Sequence, residues 1–227
     1  MITKDIHDGS KNFVFIGEAG GGKSEISLNF AKWLNTLDKK QVDFFDMDMT
    51  KPLFRSRDVS GDMRREGIIF HYEEQFMDVP TLVGGISRAL KDERRYVVLD
   101  VGGDYIGARA IGGFTPLLRR DNTKIYYVLN AFRPWSHDIE HIDHTLSQIL
   151  ASSHIELDSI YMINNTNNGP TTTKDEFISG SKKLIESLSP YAAIAFSCIS
   201  EDIYEQARPE WDGPLFPLSL NLKYPWQ

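Results

Sequence analysis

Residues 13–24 read Phe-Val-Phe-Ile-Gly-Glu-Ala-Gly-Gly-Gly-Lys-Ser, an apolar run that leads directly into a glycine-rich segment. The segment fits the pattern G-x-x-x-x-G-K-[ST], with Gly17, Gly22, Lys23 and Ser24 at the fixed positions. Glycine lets the backbone fold tightly around an anion, so that successive N–H groups and the next helix N-terminus point at phosphate oxygens. The stretch therefore predicts a strand, a phosphate-binding P-loop and a helix, in that order.

The residue types in this loop suggest how it would bind a nucleotide. Lys23 is expected to reach the β- and γ-phosphates and to act as a catalytic cation, and Ser24 to offer its hydroxyl to Mg²⁺, which prefers oxygen ligands. The other expected contacts come from the loop and the first turn of the helix. They are Gly17, Glu18, Ala19, Gly20, Gly21, Gly22 and Glu25.

The composition limits the class of protein. The 227 residues suffice for one α/β domain, and we treat 1–227 as a single P-loop nucleotide-binding domain. Lys plus Arg number 25 and Asp plus Glu 32, so 25 − 32 gives −7, a balance that favours neither nucleic acid nor an anionic membrane as partner. Cys198 is the single cysteine, so no intrachain disulfide can form. No apolar run reaches the length of a membrane span, and a cytoplasmic location is the simplest expectation.

Apolar strand patterns alternate with amphipathic helix patterns along the chain. This alternation predicts a mostly parallel β-sheet with helices on both faces. Helices are expected after the P-loop, over 81–91, after Ser136, after the capping box that starts at Thr173, and over 201–208. The proline-rich tail is expected to pack as coil. Further strands are predicted over 41–46, 95–100, 124–130, 158–164 and 191–196.

Acidic residues end two of the predicted strands. Asp46 and Asp48 follow one, and Asp100 closes the buried run Arg95-Tyr-Val-Val-Leu-Asp100. The carboxyl ends of parallel strands form the ligand side of a sheet, so Asp100 is expected to hold the Mg²⁺ shell through a water. Gly103 completes a D-x-x-G pattern, in which the glycine N–H binds the γ-phosphate and its loop changes with hydrolysis.

Four segments together resemble the MinD, ParA and CobQ/CobB group of P-loop NTPases, the SIMIBI class, over most of residues 12–200. They are Gly17 to Ser24, Asp46-Met-Asp48-Met-Thr-Lys-Pro, Leu99-Asp100-Val-Gly-Gly103 and Ile163-Asn164-Asn165. The resemblance implies ATP with Mg²⁺ as ligand, and ATP over GTP. By the same resemblance, Asp48 looks like the catalytic carboxylate that orients the attacking water, with Asp46 as its support, and Asn164 like the residue that hydrogen-bonds adenine. The Mg²⁺ candidates are then Ser24, Asp48 and Asp100.

The loop departs from that family at one position. MinD and ParA proteins carry a signature lysine in K-G-G-x-G-K-[ST], and this chain has Glu18 there. In the family that lysine reaches the partner's nucleotide across a dimer. Its absence predicts that any homodimer forms without being driven by ATP.

Three functions fit these patterns. The leading one is a Mg-ATP-binding ATPase that acts as a nucleotide-dependent switch for an unidentified protein partner. The first alternative is an ATP-dependent small-molecule kinase or amide-forming ligase of the CobQ/CobB or dethiobiotin synthetase type, with Arg55, Arg57 and Arg133 able to line a second pocket. The second alternative is a nucleotide-binding regulator with little hydrolysis.

Overall fold

The structure, a computed structural model, describes residues 6–48, 59–72, 85–103 and 105–222, and its central feature is one parallel sheet. Eight strands from these residues form it in the order β3-β2-β4-β1-β5-β6-β7-β8, with parallel pairing throughout. The strands are β1 Asn12–Ile16, β2 Gln41–Met47, β3 Ile69–His71, β4 Arg95–Val101, β5 Thr123–Leu129, β6 Ile160–Asn164, β7 Ile194–Ser200 and β8 Leu215–Leu218.

Helices cover both faces of this sheet, as predicted. They are α1 Lys23–Leu37, α2 Ser60–Arg65, α3 Ile86–Lys91, α4 Tyr105–Gly112, α5 Thr115–Leu118, α6 Ile139–Ser153, α7 Lys174–Leu188 and α8 Glu201–Ala207. Side chains on α1 at positions 26, 30 and 34 pack with α2 against one face, while α3 to α7 pack against the other. The pleat of β1 sends Phe13 and Phe15 to the first layer and Val14 and Ile16 to the second. Among the described helices, none is both long and apolar enough to cross a membrane.

The strand register gathers the predicted acidic residues at one edge. Asp100 is the Cα partner of Phe15 on β1 and of Asp46 on β2, so the three neighbouring strands end together. The carboxyl ends of β1, β2 and β4 therefore lie together near the middle of the sheet, and the loops after β1, β4, β5 and β6 leave from that same edge. This is where an open α/β sheet places its ligands.

Three parts of the fold differ from the sequence-based expectation. The tail is not coil throughout, because Leu215–Leu218 forms β8 alongside β7. An edge strand tolerates Pro217 because only one of its sides forms ladder hydrogen bonds. The strand expected over 191–196 is Ile194–Ser200, and the elements β3, α4 and α5 were not predicted.

Candidate nucleotide-binding site

The P-loop joins β1 to α1 and requires glycine at its two fixed positions. Gly17 has a φ of +131° and Gly22 a φ of +91°, conformations that L side chains rarely adopt. A Cβ added to Gly17 would lie 2.7 Å from the carbonyl oxygen of Val128, and one on Gly22 would lie 2.2 Å from Nδ2 of Asn165. The backbone of the loop is thus packed closely between its neighbours, in the form that cradles an anion.

Lys23 and Ser24 are both buried at the start of α1. The Nζ atom of Lys23 donates to the carbonyl oxygen of Glu18 over 2.8 Å, which folds the side chain back over the loop. The Glu18 carboxylate turns to its own backbone, where Oε2 accepts from the N–H of Ala19 over 3.0 Å. The arrangement holds the ammonium of Lys23 against the loop that would carry the phosphates.

Asp46, Asp48 and Asp100 lie buried beside the loop, at 3%, 3% and 0% exposure. The N–H of Asp48 donates to Oδ1 of Asp46 over 3.1 Å, so Asp46 supports the turn that presents Asp48. Among the described residues, no three His, Cys, Asp or Glu side chains form a closed metal cage. Mg²⁺ commonly binds through one or two carboxylates and the phosphates themselves, and the hydroxyl of Ser24 with these carboxylates fits that donor set.

Gly103, in the loop after β4, touches the P-loop directly. A Cβ added to it would lie 2.6 Å from both N and Cα of Ala19 and 2.8 Å from Nζ of Lys23. Gly102 of the same loop is packed backbone to backbone against Gly107 of α4. The D-x-x-G loop is therefore packed between the P-loop and α4.

A cavity of about 600 Å³ opens beside the P-loop, bounded by Ala19 to Glu25 on one side and by 165–169, after β6, on the other. Its far wall is largely apolar, with Phe177, Ile199, Ile203, Leu218, Leu220 and Leu222. Cys198 also lies in this wall, and burial raises the pKa of its thiol above the usual range. A cavity with one polar, loop-lined side and one apolar side suits a ribose and a base whose phosphates rest on the P-loop.

Three solved structures of FtsY proteins are similar to this chain in fold. No model of a known protein family matches the chain, and no curated protein matches it. The signal recognition particle receptor FtsY from Elizabethkingia anophelis, in complex with GDP, is similar at 10% identity and a TM-score of 0.55 over 84% of this chain and 57% of that one. Chloroplast FtsY from Physcomitrella patens is 13% identical, with a TM-score of 0.56 over 83% of this chain and 58% of that one. FtsY from Thermotoga maritima is 14% identical, with a TM-score of 0.54 over 84% of this chain and 62% of that one.

The chain has the P-loop NTPase fold. At 10–14% identity the likeness to these neighbours concerns the fold alone. The chain spans about three fifths of the length of each. The narrower likeness to MinD, ParA and CobQ/CobB proteins stays a prediction from the sequence.

Asn164, which the sequence resemblance assigns to an adenine contact, ends β6, and its amide is hydrogen-bonded within the protein. Its side chain is fully buried, and Nδ2 donates to the hydroxyls of Ser181 and Ser197 over 2.8 and 3.0 Å. Its Oδ1 accepts from both N–H and hydroxyl of Thr166, over 3.1 and 2.6 Å. A side-chain amide has two N–H donors and one oxygen that can accept two hydrogen bonds, so these four bonds use its full capacity. Asn164 therefore shapes the loop, and a bond to adenine would require breaking one of them.

Glu25 also differs from the expectation that it contacts the nucleotide. Its carboxylate accepts from the backbone N–H of Asn221 over 2.6 Å, from the Asn221 side chain over 2.8 Å and from the N–H of Leu222 over 3.1 Å. The side chain thus holds the segment after β8 against the first turn of α1. Only the backbone N–H of Glu25 remains suited to a phosphate contact at the helix N-terminus.

Three residues at this edge were not assigned a nucleotide role from the sequence: Asn130, Asn165 and Arg133. Asn130 braces the loop after β5, since Oδ1 accepts from Phe132 and Asn167 N–H groups and Nδ2 donates to the Asn167 carbonyl. Asn130 directly follows β5, so the strand-end rule applied to Asp100 would have found it. Arg55 and Arg57, named for a small-molecule substrate, lie outside the described residues.

Proposed function

We propose that the chain binds a nucleoside triphosphate with Mg²⁺ on the P-loop and acts as a nucleotide-dependent switch for a protein partner. The observation that supports this best is the contact of Gly103 with Ala19 and with the head of Lys23. A terminal phosphate bound by Lys23 would have to be accommodated at this contact, so the loop after β4 would differ between the triphosphate and diphosphate states.

The site residues would divide into those that bind the phosphates, those that bind Mg²⁺ and one that also orients the attacking water. The N–H groups of Gly20 to Ser24 would cradle the phosphates, and Lys23 would offset charge on the transferred group. Ser24, Asp48 and Asp100 would hold the Mg²⁺, which adds positive charge at the phosphates. Asp48 would also orient the attacking water, with Asp46 fixing its backbone.

Two observations about the purine base point in different directions. The resemblance of the sequence implies ATP, whereas the Elizabethkingia FtsY was solved with GDP. Glu25 is the one carboxylate among the residues described as lining the cavity, and the tail uses its oxygens. Guanine presents two adjacent donors, N1–H and the N2 amino group, which one carboxylate can accept together, whereas adenine presents its amino donor beside a ring acceptor. A described lining whose one carboxylate is already bonded therefore favours adenine. Both nucleotides therefore enter the test.

Isothermal titration calorimetry with MgATP and MgGTP tests the site. The wild-type chain is expected to bind one of them, and Lys23→Ala to lose at least tenfold in affinity, because a charge-assisted contact is worth about 1.5–3 kcal/mol. Lys182→Ala, an exposed lysine on α7, is the matched control and should bind as wild type. Equal affinity in wild type and Lys23→Ala would overturn the assignment.

The switch itself needs a second measurement. Hydrogen exchange of residues 100–112 should differ between the triphosphate and diphosphate complexes, and equal exchange would contradict a switch. Steady-state phosphate release with and without cell extract separates a partner-stimulated switch from a regulator with little turnover. Because Glu18 places a negative charge beside the polyphosphate, we propose that a dimer seen by light scattering persists without nucleotide.

A further inference from the structure

Arg133 lies in the loop after β5 and reaches the tip of the P-loop. Its Nε atom donates to the carbonyl oxygen of Gly20 over 3.2 Å. Lys23 and Arg133 are the cationic residues among the described lining of the cavity, and Lys23 is turned onto the Glu18 carbonyl. Within the described part of the chain, no carboxylate forms an ion pair with Arg133. Its charge is thus directed at the cavity mouth and not neutralised in the structure.

The backbone that carries Arg133 is held on several sides. The N–H of Arg133 donates to the carbonyl of Asn130 over 2.9 Å, and the N–H of Ser136 donates to the carbonyl of Arg133 over 3.0 Å. Asn130 is 1% exposed, and its side chain is bonded to the segment after β6. The guanidinium therefore starts from a fixed point beside the P-loop, which lowers the ordering cost of using it.

With a triphosphate bound, the site would remain negatively charged even when Lys23 and the proposed Mg²⁺ are counted. A nucleoside triphosphate is strongly anionic, and Glu18, Asp48 and Asp100 surround the same loop with carboxylates. Like charges at close range oppose binding unless cations intervene. A guanidinium suits this task, because its planar set of N–H donors can bind two phosphate oxygens at once.

We propose that Arg133 is a phosphate-binding residue that the chain provides in cis. With Nε on Gly20, its terminal N–H groups would bind oxygens of the phosphates cradled at Gly20 to Ser24. The inference rests on the proposed function, because it concerns the same nucleotide. It adds a residue outside every motif that the P-loop pattern defines.

Calorimetric titration of Arg133→Gln with MgATP, MgGTP, adenosine and guanosine tests the proposal. Affinity for the triphosphate should fall about 10- to 100-fold, while affinity for the matching nucleoside stays the same. Arg133→Lys should recover part of the loss, because it keeps the charge without the paired geometry. Arg120→Gln is the control, since this exposed arginine precedes β5 at the opposite end of the sheet.

The possible outcomes separate the two proposals. An equal loss for nucleoside and triphosphate would show that Arg133 only shapes the pocket, and no loss would show that it does not contact the ligand. Either result overturns the assignment of Arg133 and leaves the proposed function intact. If the wild-type chain binds no nucleotide at all, the proposed function fails and the role of Arg133 fails with it.

Discussion

The side chain of Asn165 donates a hydrogen bond from Nδ2 to the carbonyl oxygen of Gly21 over 2.8 Å and so ties the loop after β6 to the P-loop. The same nitrogen occupies the space that a side chain at Gly22 would need. The two loops are therefore fitted to each other, and the conformation of the P-loop depends on a residue from a distant strand.

We expect Asn165→Ala to loosen the P-loop without unfolding the chain. Loss of one neutral hydrogen bond costs about 1 kcal/mol, and Gly21 loses its brace. Hydrogen exchange of residues 19–22 should quicken and triphosphate affinity should fall. The control is Asn35→Ala, near the C-terminal end of α1, which removes a comparable side-chain hydrogen bond to the carbonyl of Glu66. This variant should leave the exchange of residues 19–22 and the triphosphate affinity unchanged. Identical exchange in the two variants would contradict the coupling.

Gly103→Ala should be costly although it adds only one methyl group. The nearest atoms belong to the backbone of Ala19, at 2.6 Å, and cannot move as a flexible side chain would. We expect the free energy of unfolding to fall by about 1–3 kcal/mol in a urea titration, as for overpacked sites. Gly113→Ala, where no heavy atom lies within 4 Å of the added Cβ, should be nearly neutral. Similar values for the two would mean that the loop after β4 separates easily from the P-loop.

Asp48→Asn should separate binding from turnover. The amide keeps the shape of a buried side chain whose backbone N–H bonds to Asp46, but it loses the charge that orients water. Calorimetry should show Mg-nucleotide affinity largely retained, because the amide oxygen can still ligate Mg²⁺ beside Ser24 and Asp100. Single-turnover phosphate release should slow by at least tenfold. A parallel loss of both would make Asp48 a Mg²⁺ ligand alone.

His7 should make the stability of the fold depend on pH. Burial, aided by the nearby charge of Lys40, holds the pKa of the imidazole below its usual 6.5. Below that pH the unfolded chain binds the proton more readily than the folded one, so the free energy of unfolding falls as pH decreases from 6.5. Denaturation between pH 7.5 and 5.5 should show a smaller decrease in His7→Gln than in wild type. His144→Gln, on the exposed face of α6, should keep the wild-type slope.

The sequence was sufficient for those features that depend on neighbouring residues. The strand before Gly17, the helix that follows the P-loop and the capping box at Thr173 are local patterns, and the structure confirms them. The buried positions of Asp48 and Asp100 at one sheet edge followed from the rule for parallel strands.

The missed features depend on partners far along the chain. Asn164 is saturated by Ser181 and Ser197, and Glu25 is held by Asn221, pairings that no local pattern contains. Helix α4 carries glycines that disfavour a helix by propensity, yet Gly107 is needed there because its backbone packs on Gly102. The bonding of Asn164 and Glu25 and the formation of α4 therefore depend on tertiary contacts.

The bonds that brace the P-loop also have a consequence for the order of events during synthesis. The hydrogen bond to Gly21 comes from Asn165, which is synthesised 144 residues later. The hydrogen bond to Glu25 comes from Asn221, which is synthesised 196 residues later. A ribosome that adds about 5–20 residues per second would expose the phosphate loop many seconds before either brace emerges. The nascent chain would then carry the glycine-rich segment without its finished shape. Under the proposed function, nucleotide would therefore bind in full only after the sheet is complete, and the onset of binding would report that completion.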